Sequence, residues 1–174
     1  MRVIRKSVFE TNSSSTHSIC ISKEDVNQFP KSIHFGFGEF GWENDEVYNT
    51  QDYLYTAIME LEMYDCVDKI KAILDKHHIS YTFAEKVDSG YWDQGYVDHA
   101  EELSDFINDV CNNENKLLRY LFGDSVIYTG NDNSCKSTDL CNSADDTIYD
   151  YETNTSLPNP NHDEEHYEYY YKGN

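Results

Sequence analysis

The residue types best suited to chemistry lie near the start of the chain, in Glu10-Thr-Asn-Ser-Ser-Ser-Thr-His-Ser18. Asn12, Ser13, Ser14 and Ser15 with their neighbours form a run of hydroxyl and amide side chains between Glu10 and His17. Such a run between two strands could fold into a polar nest for an anion or another ligand. A serine beside a histidine could also act as a nucleophile–base pair. The competing outcome is structural, because these short side chains readily cap their own backbone in a turn. No second catalytic constellation accompanies them, which favours the structural outcome and, after it, binding.

Two further motifs have chemical precedents but lack the context that chemistry needs. Gly36-Phe-Gly-Glu-Phe-Gly41 matches G-x-G-x-x-G, which binds dinucleotides only where its glycines lead straight into a helix. Here Glu39, Glu43, Asp45 and Glu46 surround it and would repel a pyrophosphate. His162-Asp-Glu-Glu-His166 matches the H-x-x-E-H pattern of zinc peptidases. That pattern needs a rigid helix and a further ligand downstream; here the motif lies just beyond two prolines, and only Glu168 follows. The cysteines at 20, 66, 111, 135 and 141 are odd in number and contain no C-x-x-C pair. They read as reduced cytosolic thiols, with at most weak metal binding by Cys135, Cys141 and a tail histidine. No metal and no cofactor is expected.

Charge excludes more than any motif does. The 174 residues carry 13 Lys and Arg against 33 Asp and Glu, a net of −20. Residues 1–31 hold five bases and three acids, so everything after Lys31 amounts to −22. Ser32 to Asp68 contains nine acids and no base, and Asp88 to Asn115 eight acids and no base. Such a surface repels nucleic acid and anionic membrane and attracts basic proteins, of which nucleic-acid-binding proteins are the most abundant. Most charge runs are merely solvated faces, yet this total costs self-repulsion beyond what solubility requires. The MRVIRKSVFE start has no apolar signal region, which points to the cytoplasm, and no apolar run is long enough for a membrane span.

Periodicity supplies the elements that would carry these groups. Arg2 to Phe9 and Ser18 to Ser22 read as strands. Ser22 with Asp25 reads as a capping box opening a short helix before Pro30, and Ile33, Phe35 and Phe37 alternate as another strand. Helices are expected from Thr50 through Leu54, Ala57, Ile58 and Leu61, and from Cys66 to His77. A third carries the stripe Leu103, Phe106, Ile107, Val110 and Cys111, and a fourth carries Leu117, Leu118, Leu121 and Phe122 and ends at Gly123. Tyr81 to Val87 and Ser125 to Thr129 read as short strands. The fold expected is α+β: a small, mainly antiparallel sheet, made mostly of N-terminal strands, packed with about four helices. Residues 1–130 would form the single domain, and 131–174 an acidic Asn-, Asp- and Tyr-rich extension, partly disordered, whose tyrosines offer a means of docking.

Arg5-Lys-Ser-Val-Phe-Glu-Thr-Asn-Ser-Ser-Ser-Thr-His-Ser18 resembles the N-terminus of small proteins of Firmicutes and their phages. Leu121-Phe-Gly-Asp-Ser-Val-Ile-Tyr-Thr-Gly-Asn-Asp-Asn133 is similar to a second signature of the same group. One branch of these mobile-element proteins is similar to anti-CRISPR inhibitors of type II effector nucleases. The resemblance thus implies a non-enzymatic inhibitor in the bacterial cytoplasm, partnered by an effector nuclease with its guide RNA. Charge agrees with it. Duplex DNA carries one charge per roughly 1.7 Å of axis, so twenty charges match about 34 Å, roughly ten base pairs. A domain of this length is about that wide, which suits a DNA mimic. Candidate contacts are Glu39, Glu43, Asp45 and Glu46 on the first acidic stretch. On the second they are Asp98, Glu101, Glu102 and Asp105, with Tyr91, Trp92 and Tyr96 as aromatic anchors. The alternative is a ligand-binding or enzymatic domain centred on the Glu10–His17 loop, and a third is a virion or assembly component.

Overall fold

Alternation of side chains builds the centre of the molecule. The computed structural model describes residues 15–41, 45–85, 95–131, 147–150, 152–159 and 162–172. Strand β1, Ser15–Ser22, sends His17, Ile19 and Ile21 to one face and Thr16, Ser18 and Cys20 to the other, and all its residues are buried. Burial on both faces marks a central strand.

The order along the chain continues with β2 (Ser32–Phe35), β3 (Glu39–Phe40) and β4 (Asp45–Val47), then α1 (Thr50–Glu60) and α2 (Tyr64–Lys76). Next come β5 (Ser80–Phe83), β6 (Tyr96–Val97), a 3-10 turn over Ala100–Leu103, α3 (Ser104–Asn112) and α4 (Glu114–Phe122). The last elements are β7 (Val126–Asn131), β8 (Thr147–Asp150), β9 (Thr155–Pro158) and β10 (Tyr167–Lys172). The main sheet is antiparallel, in the order β10-β1-β7-β4. Two short parallel pairs, β2–β5 and β3–β6, and an antiparallel hairpin, β8–β9, flank it. Among the described residues the architecture is α+β, with four α-helices and a mainly antiparallel main sheet.

The helices follow their apolar stripes. Tyr53, Leu54, Ala57 and Ile58 of α1, Ile70 and Leu74 of α2, Phe106, Ile107 and Val110 of α3, and Leu117 and Tyr120 of α4 form one core with Ile19, Ile21 and Ile127. Thr50 is the first residue of α1, preceded by Asn49. Its hydroxyl donates to the Tyr120 carbonyl at 2.9 Å while the Tyr120 hydroxyl returns a bond to the Thr50 carbonyl at 2.8 Å, tying α1 to α4. Asn113 separates α3 from α4 and caps α4, its side chain accepting from the Lys116 amide at 3.1 Å. Cys66 and Cys111 are buried free thiols, and burial pushes both up; Cys20 is buried as well. Among the described residues no helix is long and apolar enough to cross a membrane.

Three expectations need correction. No helix follows Ser22: its hydroxyl accepts from the Glu24 amide at 3.2 Å in a tight turn. Its own amide donates to Ser125 Oγ at 3.2 Å, so Asp25 has no capping partner to reach back to. The Ile33–Phe35 strand leaves the main sheet and pairs in parallel with β5. The main sheet, expected mostly from N-terminal strands, takes β1 and β4 from there but β7 and β10 from later in the chain. The acidic extension docks through its tyrosines as anticipated, forming β10, where Tyr170 packs edge-on against Phe106 with ring centroids 5.1 Å apart. Residues 2–9, expected as a strand, lie outside the described residues.

Candidate functional site

Strand β1 starts three residues earlier than its alternation suggested, so Ser15 and His17 sit in the sheet rather than in a loop. His17 is completely buried. Its Nε2 lies 3.0 Å from the Asp98 carbonyl oxygen, which can only accept, so Nε2 carries the proton. Nδ1 then accepts from the Tyr53 hydroxyl at 2.9 Å. The Ser15 hydroxyl donates to the same Asp98 carbonyl at 3.3 Å, with its oxygen 3.1 Å from Nε2. The nitrogen facing Ser15 is therefore the protonated one. A base must offer that nitrogen unprotonated to take a proton from a serine, so in this tautomer the pair is a gripping device. Burial holds the Tyr53 phenol protonated, its pKa raised well above the ordinary value, as a donor needs. Glu10, Asn12, Ser13 and Ser14 lie outside the described residues.

The carbonyl that His17 grips sits where the two base-free stretches meet. Strands β3 and β6 pair in parallel, Glu39 opposite Tyr96 and Phe40 opposite Val97. The Tyr96 amide donates to the Gly38 carbonyl and the Asp98 amide to the Phe40 carbonyl, each at 2.9 Å. Glu60, at the end of α1, accepts from the Val97 amide at 2.8 Å. Two glycines make this approach possible. Gly41 has φ +99° and faces the imidazole so closely that a Cβ there would lie 2.6 Å from His17 Cε1. Gly95 has φ +88°, and a Cβ there would lie 2.2 Å from the Gly38 oxygen. His99, left-handed at φ 55°, then turns the chain into the 3-10 segment and α3.

Among the described residues some acids pair with a lysine or arginine and others do not. Glu39, Glu101, Glu102 and Asp105 are exposed, and Asp98 is half-buried. Among the described residues no lysine or arginine pairs with any of them; Glu101 lies 3.7 Å from His99. The cations sit elsewhere: Lys69 on Asp65 (3.0 Å), Lys71 on Asp68 (3.3 Å) and Lys76 on Glu114 (2.6 Å). Lys116 meets Asp109 at 2.6 Å and Glu168 at 2.5 Å, and Arg119 approaches Glu168 at 3.7 Å. The hydrogen bond from Lys116 holds the Asp109 carboxyl below the usual carboxylate range. Burial opposes the Lys116 charge, but hydrogen bonds to Asp109, Glu168 and Tyr170 outweigh it and raise its pKa. Burial and Asp109 push the Tyr170 phenol up to about 12.

Of the expected contacts, Glu39 and Asp98 are thus brought together with the segment carrying Glu101, Glu102 and Asp105. Tyr96 is corrected: β3 and α1 cover it, leaving it 7% exposed and unable to serve as a surface anchor. Asp45 and Glu46 stand on edge strand β4 opposite Thr129 and Tyr128, away from the β3–β6 pairing in register though close in sequence. Glu43, Tyr91 and Trp92 lie outside the described residues.

The two motifs that lacked context have other uses. Gly36 and Gly38 turn their amides to α1, Gly36 to Asp52 Oδ1 at 2.6 Å and Gly38 to Thr56 Oγ1 at 3.2 Å, and β3 follows them. His162 stacks on Tyr169 with centroids 4.6 Å apart, and His166 Nδ1 bonds Asp163 Oδ2 at 2.9 Å in a turn leading into β10. Sequence reasoning missed Tyr53, Glu60 and Lys116. Tyr53 reads as one more member of an apolar stripe, and nothing local marks Glu60 or Lys116. No protein-family model, no curated protein and no solved structure matches the chain.

Proposed function

We propose that this chain is a non-enzymatic, acidic inhibitor that occupies the phosphate-binding channel of a basic nucleic-acid-binding protein. On the N-terminal resemblance, the partner proposed is a type II CRISPR effector nuclease with its guide RNA, met in the bacterial cytoplasm. The observation that carries the reading is the parallel β3–β6 pairing. It sets Glu39 of one base-free stretch beside the segment bearing Asp98, Glu101, Glu102 and Asp105 of the other, while Lys69, Lys76 and Lys116 pair with other acids of the chain. Exposed carboxylates without cations of their own keep their charge for an incoming arginine or lysine. Arginine forks accept a carboxylate as they accept a phosphate. An effector channel holds nucleic acid through its backbone charge and reads only a short flanking motif through arginines. A folded polyanion in that channel competes with DNA for the same cations. Direct binding of nucleic acid by this chain is not part of the mechanism.

The experiment is inhibition of target-DNA binding by a type II effector–guide complex over a salt series. Inhibition is expected at low salt and fades as salt rises, since screening weakens exposed pairs. Neutralising Glu101→Gln, Glu102→Gln and Asp105→Asn together removes roughly 0.5 kcal/mol per exposed pair, about tenfold in all. No inhibition at low salt would end the proposal. Inhibition indifferent to salt and to the triple variant would transfer the effect to shape or aromatic contacts and end the charge mechanism.

A further inference from the structure

We propose that His17, held by Tyr53 and assisted by Ser15, is the positioning residue of the acidic face. Through the Asp98 carbonyl it fixes where the segment carrying Glu101, Glu102 and Asp105 stands relative to Glu39. This rests on the proposed function for its consequence, but the grip itself stands on geometry alone.

His17 is anchored on both sides: Nδ1 to the Tyr53 hydroxyl at 2.9 Å and Nε2 to the Asp98 carbonyl at 3.0 Å. Tyr53 is fully buried in α1, within the core, and β1 is the second strand of the four-stranded sheet, so the imidazole is rigid at its base. What it grips is anchored in the core by Val97, Ala100 and Leu103 but has few backbone bonds. Strand β6 consists of Tyr96 and Val97, β3 of Glu39 and Phe40, and a pair so short holds its own register weakly. His99 turns the chain just after the gripped carbonyl, so rotation of the Asp98 peptide would swing the acids that follow. The surrounding residues agree with this role: Gly41 leaves the imidazole room to reach the carbonyl, and the Glu60 carboxylate takes the neighbouring Val97 amide. A buried donor aimed at one carbonyl is thus joined to a surface whose charges lie outside it.

The test separates the grip from the charge, because the His17 and Tyr53 variants keep the same carboxylates. Glutamine places an amide N–H near Nε2, and asparagine places its polar atoms near Nδ1. Amide hydrogen exchange is measured on the full chain for His17→Gln, His17→Asn and Tyr53→Phe, beside inhibition of DNA binding by the effector–guide complex. His17→Asn should speed exchange selectively at residues 96–103, weaken inhibition about tenfold and flatten its salt dependence; His17→Gln should restore much of all three. Tyr53→Phe, which leaves Nδ1 without its donor, should loosen the same segment, and it carries the test if His17→Asn does not fold.

Exchange that rises uniformly along the chain, or equally in Gln and Asn, overturns the positioning role. If the segment loosens selectively while inhibition is unchanged, the grip is real but the acidic face is not the inhibitory surface, and the proposed function falls. If exchange is unaffected while the triple neutralisation still weakens inhibition, the proposed function stands and the positioning role falls.

Discussion

Strand β1 carries a polar residue with a partner on one face and one without on the other. His17 satisfies both ring nitrogens, whereas Thr16 Oγ1, equally enclosed, meets no hydrogen-bonding group. A buried hydroxyl without a partner forfeits about 1–3 kcal/mol of hydration. Thr16→Val keeps the branched shape that a central strand favours and removes the stranded oxygen. It should stabilise the fold by about 1 kcal/mol, read as a rise of roughly 2–4 °C in Tm. A fall in Tm would mean that the hydroxyl is bonded in solution. At this scale the sequence was half legible. A serine two residues from a histidine could be seen, but not that Tyr53, 36 residues on, and Asp98, 81 residues on, complete the group. Those partners turn an apparent base into a donor, and no local pattern contains them.

At the scale of elements, the C-terminal strand shows how a segment of unfavourable composition becomes part of a sheet. Strand β10 is acidic and tyrosine-rich, and low mean hydropathy alone argues for disorder. It docks because α4 presents Lys116, nearly buried, whose Nζ bonds Glu168 and Tyr170 of β10 together with Asp109 of α3. Lys116→Met keeps the stem and removes the charge. Because both carboxylates are partly exposed, the loss should be modest, roughly 2 kcal/mol at neutral pH. The acid limb separates this from a packing effect. Asp109 titrates below its usual range when folded, so its contribution is present above the unfolded value near 3.8 and is lost as pH falls through the lower folded value. Wild type should therefore lose more stability than Lys116→Met between about pH 5 and pH 2, measured by urea unfolding. Parallel curves would show that the ion cluster adds nothing. Helices were legible here because a 3.6-residue stripe is a property of one segment. Strand partners were not, since alternation says that a strand exists and is silent on what lies beside it. That is why β2 was expected in the main sheet and β10 was not.

For the whole molecule, the net charge of −20 makes two measurements respond to salt in opposite directions. Like charges on a compact body repel, and screening relieves the repulsion. The described ion pairs on α2 are exposed pairs of small worth, so their weakening by salt is minor. Raising sodium chloride from about 0.05 to 0.5 M shortens the screening length from above 10 Å to below 8 Å, and Tm should rise. Each kcal/mol of relieved repulsion corresponds to about 2–4 °C for a chain of this size. Affinity for a basic partner should fall over the same range, because the carboxylates that repel one another are those that attract it. A Tm that falls with salt would assign stability to ion pairs such as Lys116–Glu168 rather than to a core working against its own charge. If Tm and affinity rise together, the contact with the partner is apolar and the acidic face has another use.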